Sequence, residues 1–168
     1  MKKSIKASEK KVLKKLKKGP KSVDELRDYL SCVRNINRGG CGIAALAIYD
    51  QAKREGKNPK IVFCWDVWSL MWCDDNGPQQ HEAYKNGKRK TAVSCSHVLV
   101  KIGRRYYDCK ENATKSEVYD EFRIVDEEVS RDHLVAAVNN KGQWNSEFDR
   151  KVHLPKIEKY LGYKLLSK

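Results

Sequence analysis

The sequence of 168 residues contains no apolar run long enough to cross a membrane. Its first residues also lack the apolar stretch that forms the centre of a secretory signal. These two absences lead us to expect a cytoplasmic protein with no membrane association. The length suits one domain, since a chain of this size buries about two thirds of the surface that it exposes when unfolded.

Paired cysteine modules are absent as well. The six cysteines occur singly, with no Cys-x-x-Cys pair among them: Cys32, Cys41, Cys64, Cys73, Cys95 and Cys109. In a reducing compartment we expect most of them to be free thiols, which disfavours a disulfide scaffold. The sequence has no internal repeat, and its only biased tract is lysine-rich.

That lysine-rich tract holds most of the chain's excess positive charge. The formal net charge is +13, and residues 1–21 contain ten lysines but a single acid, Glu9. We therefore expect residues 1–21 to form an arm or peripheral helix, and residues 22–168 to form one α+β domain. A lysine run of this kind is usually solvated, but it can also bind nucleic acid or an acidic partner.

Residues 35–46 change from polar and glycine-rich to apolar at Cys41. The apolar positions between Ile43 and Ala52 cover a broad helical face, which predicts a largely buried helix with Cys41 at its start. A helix N-terminus favours an anion, so a cysteine there is favoured as the reactive thiolate. The same pattern is also typical of an ordinary packed helix that follows a flexible loop.

Further along, the sequence predicts a β-hairpin that begins at His97. Gly103 and Arg104 separate two β-prone runs, residues 98–102 and 105–109, as a two-residue turn would. With this register His97 and Asp108 become diagonal neighbours on one face, within side-chain reach.

These two stretches together resemble the papain-like cysteine hydrolases. The run Gly40-Cys41-Gly42-Ile43-Ala44-Ala45-Leu46 is similar to the small bacterial members that process leader peptides. The strand-start His97, followed by a tight turn and Asp108, is similar to the transglutaminase-like branch. The resemblance covers residues 35–52 and 96–108, and it implies a papain-like α+β fold whose central helix packs on an antiparallel sheet.

The resemblance also implies a catalytic triad. Cys41 would attack as the thiolate, His97 would move the proton, and Asp108 would orient the imidazole. Asn35, or Asn37 in its place, would bind the oxyanion together with the Cys41 N–H. The expected activity is that of a thiol hydrolase or acyltransferase acting on an amide, peptide or isopeptide bond of a peptide or protein substrate, without a metal or cofactor.

Two other interpretations stay open. In the first, the lysine-rich segment binds nucleic acid in a protein of viral or mobile-element origin whose papain-like body is inactive. In the second, a zinc ion is held by Cys95, His97 and Cys109, with help from a further ligand. The candidates for that ligand are Cys64, Cys73 and His81. The spacing lacks the paired cysteines that make a zinc site recognisable.

Caps and turn residues predict the remaining elements. We expect a helix capped by Ser22, a strand at residues 61–63, an exposed loop over residues 74–90 that carries His81, a loop at 111–116, a strand at 121–125, a helix capped by Ser130, and a last helix with Pro155 in its first turn.

Overall fold

The computed structural model describes residues 19–66, 77–93, 95–140 and 147–167. These residues form helices and an antiparallel sheet, which confirms the predicted α+β class. The helices are α1 (Val23–Ser31), α2 (Cys41–Arg54), α3 (Gly77–Lys85), α4 (Lys115–Glu121), α5 (Arg131–Asn139) and α6 (Arg150–Leu161). The strands are β1 (Lys60–Asp66), β2 (His97–Ile102), β3 (Arg105–Tyr107), β4 (Asn112–Ala113) and β5 (Phe122–Val129). Residues 1–18, and with them most of the lysine-rich segment, lie outside the described residues.

The five strands form one sheet in the order β4-β3-β2-β1-β5, with every neighbouring pair antiparallel. The predicted hairpin is confirmed, because Ile102 pairs with Arg105 across the Gly103-Arg104 turn. The ladder between β2 and β3 ends where Val100 pairs with Tyr107. Asp108 therefore lies just beyond the paired part of the hairpin, at the same end of the sheet as His97.

Helix α2 is the centre of the main core. Ten of its fourteen residues are buried, which confirms the broad apolar face predicted for it. It packs on one face of the sheet against side chains such as Phe63, Val98 and Val100. Removing a large aliphatic side chain from water stabilises the fold by about 1.5–3 kcal/mol, so this face dominates the stability of the domain.

A smaller apolar cluster covers the other face of the sheet. Val62, Cys64, Leu99 and Tyr106 point to that side, where Val118 of α4 packs on them. The alternation of side chains along β1 and β2 explains this division, because successive residues of a strand face opposite sides. The sheet is thus enclosed between α2 and the short helix α4.

Helix α1 begins as predicted. The Ser22 Oγ accepts a hydrogen bond from the Glu25 N–H at 3.1 Å, and Val23, Leu26 and Leu30 are buried. The Glu25 carboxylate accepts from the Lys21 N–H rather than from Ser22, so only half of the capping box forms.

The prediction of an exposed loop over residues 74–90 is wrong. Helix α3 occupies Gly77–Lys85, and His81 in its middle is completely buried. Gly77 and Pro78 begin this helix rather than form a turn, since proline fits the first helical positions as well as it fits turns. Residues 67–76, which precede the helix, lie outside the described residues.

Two smaller predictions also need correction. Residues 111–116 are not a loop, because they contain β4 and the Thr114 capping box that starts α4. Pro155 lies inside α6 rather than in its first turn, since the helix begins at Arg150 with Asp149 as its N-cap. The predicted strand near residues 121–125 and the helix capped by Ser130 are both confirmed. Among the described helices, none is both long and apolar enough to cross a membrane.

Candidate active site

Cys41 is the first residue of α2, and only 3 % of its surface is exposed. Gly40, which precedes it, packs tightly against the loop before the helix. A Cβ at Gly40 would lie 2.7 Å from the Ile36 carbonyl oxygen and 2.9 Å from the Phe148 ring. Because those contacts are too short for any side chain, glycine is required at the start of this helix.

His97 is the first residue of β2 and lies opposite Cys64 of β1. Its Nε2 is 2.9 Å from Asp108 Oδ2, so the contact expected from the hairpin register is confirmed. The Phe122 ring stacks on the imidazole, with ring centroids 5.2 Å apart and an angle of 18°. This cover keeps the hydrogen bond between His97 and Asp108 away from solvent.

The Asp108 carboxylate is held by the turn that follows it. Its Oδ1 accepts hydrogen bonds from the N–H groups of Lys110 and Glu111, both at 2.6 Å. Burial would raise the pKa of Asp108, but the hydrogen bonds from His97 and from these N–H groups outweigh it and lower that pKa. Asp108 is therefore ionised and points at the imidazole.

Arg27 of α1 fixes the same turn from outside. Its Nε donates to the Asp108 carbonyl and its Nη2 donates to the Glu111 carbonyl, each at 2.6 Å. Its guanidinium also lies over the Tyr107 ring, 5.3 Å from the centroid. Arg27 could not be predicted from the sequence, because no local pattern links it to a turn 81 positions away.

Cys41 and His97 interact through their side chains. Burial disfavours the charged imidazole, yet hydrogen bonds with Asp108 and with Cys41, and the charges of both groups, raise the pKa of His97 to about 10. Since Nε2 faces Asp108, Nδ1 is the nitrogen that remains for Cys41. Asp108 bonds His97 directly, and Cys41 lies close enough to the imidazole to affect its pKa, so the three residues of the expected triad lie in one region of the fold.

The two candidate oxyanion residues have different surroundings. Asn35 has a left-handed backbone with φ of 58°, and its Nδ2 donates to the Glu147 carbonyl at 2.8 Å. Asn37 instead lines a cavity with His97 and Asp108, and its Oδ1 accepts from the Cys109 thiol. The Asn35 amide is thus already engaged, and Asn37 is the better placed of the two.

That cavity has a volume of about 340 Å³ and lies on the sheet face opposite α2. Its walls come from β2, β3, β4, α4 and the start of β5, and His97 and Asp108 lie at one end. Cys41 is not among the described residues that line it, so the cavity approaches the triad from the Asp108 side.

The cysteines of the zinc hypothesis make other contacts. The Cys95 thiol donates to the His97 carbonyl at 3.0 Å, and Cys109 donates to Asn37. Burial raises the pKa of Cys64 and of Cys109 to about 12, so both thiols are protonated at neutral pH. Within the described ranges no three His, Cys, Asp or Glu residues are arranged to hold a metal ion. The fourth cysteine named in that hypothesis, Cys73, lies outside those ranges.

A second histidine–carboxylate pair, which the sequence pattern did not predict, joins helix α3 to strand β5. His81 Nε2 is 3.0 Å from Asp126 Oδ2, and the Lys85 Nζ is 2.6 Å from the same oxygen. The ring of His133 lies against His81, with centroids 4.9 Å apart.

No protein-family model matches this chain, and comparisons with curated proteins and with solved structures find no match either.

Proposed function

We propose that this chain is a papain-like thiol hydrolase or acyltransferase that acts on an amide, peptide or isopeptide bond. The observation that supports this function best is the buried hydrogen bond between His97 and Asp108, together with the proximity of Cys41, which raises the pKa of His97. A helix that starts at a cysteine and packs on an antiparallel sheet, with a histidine at a strand start, is also what the papain-like architecture requires.

The first half of the reaction forms a thioester. The Cys41 thiolate attacks the substrate carbonyl carbon, and the negative charge moves to the carbonyl oxygen, where the Cys41 N–H and Asn37 would stabilise it. His97 then gives its proton to the leaving nitrogen as the carbon–nitrogen bond breaks. The raised pKa of His97 suits this step, because the imidazole is protonated at neutral pH before the attack.

The second half releases the product. Water or an amine attacks the thioester carbon, His97 takes the proton of that nucleophile, and the bond to the Cys41 sulfur breaks. Hydrolysis and acyl transfer differ only in which nucleophile arrives. Asp108 makes and breaks no bond with the substrate, but it holds the imidazole in one orientation throughout.

Selective alkylation tests this proposal. At pH 6 an ordinary thiol is almost fully protonated, whereas a thiolate paired with an imidazolium reacts with iodoacetamide. We expect peptide mapping to show Cys41 modified well before the exposed Cys32, which is an internal reference in the same chain. Cys41→Ala should remove the fast phase, and Cys64→Ala should leave it unchanged. A Cys41 that reacts no faster than Cys32 would contradict the proposal.

The lysine-rich segment supports a second candidate function, binding of nucleic acid. Ten lysines in residues 1–21 supply the charge that phosphate contacts need. If the segment binds duplex DNA through phosphates, fluorescence anisotropy should show an affinity that falls steeply between about 50 and 200 mM salt. Replacing these lysines with glutamine should abolish binding, and salt-insensitive binding would count against a phosphate-based interaction.

A further inference from the structure

The cavity beside His97 combines apolar walls with an acidic mouth. Leu99 and Val118 are buried at its sides, and the carboxylates of Glu111, Glu117 and Glu121 lie at its exposed edge. None of the described lysines or arginines lines it, in a chain that carries 35 of them. Its volume of about 340 Å³ is in the range of pockets that bind small ligands.

The protein only partly offsets the charge of the carboxylates at this mouth, with Arg105 acting on Glu117 and Arg27 donating to the Glu111 backbone carbonyl. Glu111 and Glu121 are in no ion pair with any described residue, and Glu117 bonds the backbone and side chain of Thr114. Several carboxylates elsewhere on the fold have basic partners close by. Examples are Asp50 with Arg131, Glu127 with Lys101, and Glu158 with Lys164. The cavity is therefore a concentrated negative region on a strongly basic protein.

We propose that this cavity is the specificity pocket for a lysine or arginine side chain of the substrate. Methylene groups of such a side chain would pack between Leu99 and Val118, and its cationic end would reach the carboxylates at the mouth. This inference rests on the proposed function, because His97 belongs both to the cavity wall and to the triad.

The carboxylates recognise the cation but take no part in bond making. A cation near several carboxylates keeps its proton, which makes an amine bound there a poor nucleophile. The pocket therefore selects the substrate that is cleaved or acylated and does not hold the amine that attacks the thioester.

Binding to the unreactive Cys41→Ala protein tests the pocket separately from the chemistry. The probes are Nα-acetyl-lysine methylamide and its neutral analogue, Nα-acetyl-norleucine methylamide, each titrated by NMR. We expect the lysine probe to bind at least about fivefold more tightly and to shift the resonances of Leu99 and Val118. Its affinity should fall when salt is raised from 50 to 500 mM, because exposed charges are screened over a few ångströms at the higher concentration.

A matched pair of variants identifies the carboxylates that matter. Glu111→Gln combined with Glu121→Gln should lower the affinity for the lysine probe to that for the norleucine probe. Asp120 lies on the same helix as Glu117 but does not line the cavity, so Asp120→Asn should leave the affinity for the lysine probe unchanged. Equal binding of the two probes, or the same loss in Asp120→Asn, would overturn the inference.

The two proposals can fail separately. Fast alkylation of Cys41 together with no preference for the lysine probe would overturn the pocket and leave the thiol chemistry intact. A clear preference for the lysine probe in a protein whose Cys41 is alkylated no faster than Cys32 would overturn the catalytic function. The pocket would then remain as a binding site for basic side chains.

Discussion

The fold contains two buried histidine–aspartate pairs with almost the same hydrogen-bond distance. The Nε2 to Oδ2 distance is 2.9 Å for His97 and Asp108 and 3.0 Å for His81 and Asp126. The difference lies in what else surrounds the ring. Cys41, at a helix start, is close enough to His97 to raise its pKa, whereas His81 Nδ1 is buried with no partner in the described part of the chain.

The surroundings of the two carboxylates also differ. Asp126 bonds the Lys85 ammonium, and His81 is enclosed by the rings of Phe63, Trp65 and His133. Asp108 bonds two backbone N–H groups, which leave its charge available to the imidazole. A histidine–carboxylate pair alone is thus a structural motif, and the nucleophile on its far side is what makes one of the two a candidate for catalysis.

The largest expected effect separates the two histidines by function. His97→Ala should slow alkylation of Cys41 at pH 6 by about 10²–10⁴-fold, the range that a positioned acid–base group contributes. His81→Ala should leave that rate unchanged and lower the free energy of unfolding by about 2–4 kcal/mol, because it opens a cavity and exposes Asp126. Iodoacetamide kinetics and urea unfolding measure the two effects. Equal slowing by both variants would mean that the two pairs do not differ in function.

The second prediction uses pH, since the two clusters respond with opposite signs. Burial, together with the charge of His81, lowers the pKa of His133 to about 4, although Asp126 acts in the opposite direction. Between pH 6.5 and 4, His133 therefore binds a proton in the unfolded chain but not in the native state. The free energy of unfolding falls as the pH falls. From pH 7 to pH 5 this loss should be about 2 kcal/mol.

Urea unfolding of the natural protein and of His133→Leu checks that prediction, because the variant should lose this part of the pH dependence. The contribution of His97 has the opposite sign. With its pKa raised to about 10, His97 stabilises the fold below about pH 6.5 and loses this effect as the pH rises toward 10. His97→Gln should therefore flatten the alkaline side of the profile of stability against pH and leave the contribution of His133 between pH 6.5 and 4 unchanged. If His133→Leu and the natural protein lose the same stability between pH 7 and pH 5, this pH dependence does not come from His133.

The third prediction compares the carboxylates. Asp108→Asn should lower the alkylation rate of Cys41 by about 10-fold to 10²-fold and shift its pH dependence, because the amide orients the ring but supports its charge poorly. Asp126→Asn should change neither the rate nor its pH profile. A pH profile of Asp108→Asn that matches the natural protein would show that Asp108 acts only on folding.

The sequence predicts the His97–Asp108 pair but not the His81–Asp126 pair, for a physical reason. His97 and Asp108 are eleven positions apart and are joined by one tight hairpin, whose register places them at the same end of the sheet. His81 and Asp126 are 45 positions apart, on α3 and β5, and only tertiary packing joins them. The Gly77-Pro78 pair is typical of a turn but suits a helix start equally well, so the sequence predicted a loop where helix α3 begins.

The smallest expected effect concerns Lys85. Its side chain is 39 % exposed, so its ion pair with Asp126 is partly screened by water. Lys85→Met keeps the length of the side chain and should cost about 1 kcal/mol or less in urea unfolding, with a smaller loss at high salt. The cost is small because Asp126 keeps the His81 hydrogen bond and the Glu128 N–H bond at 2.8 Å. A loss of about 3 kcal/mol would instead mean that Asp126 depends on Lys85 as a buried charge depends on its only counter-ion. Asp108, which has no such lysine, would then depend less than Asp126 on a cation, because two backbone N–H groups stabilise its charge instead.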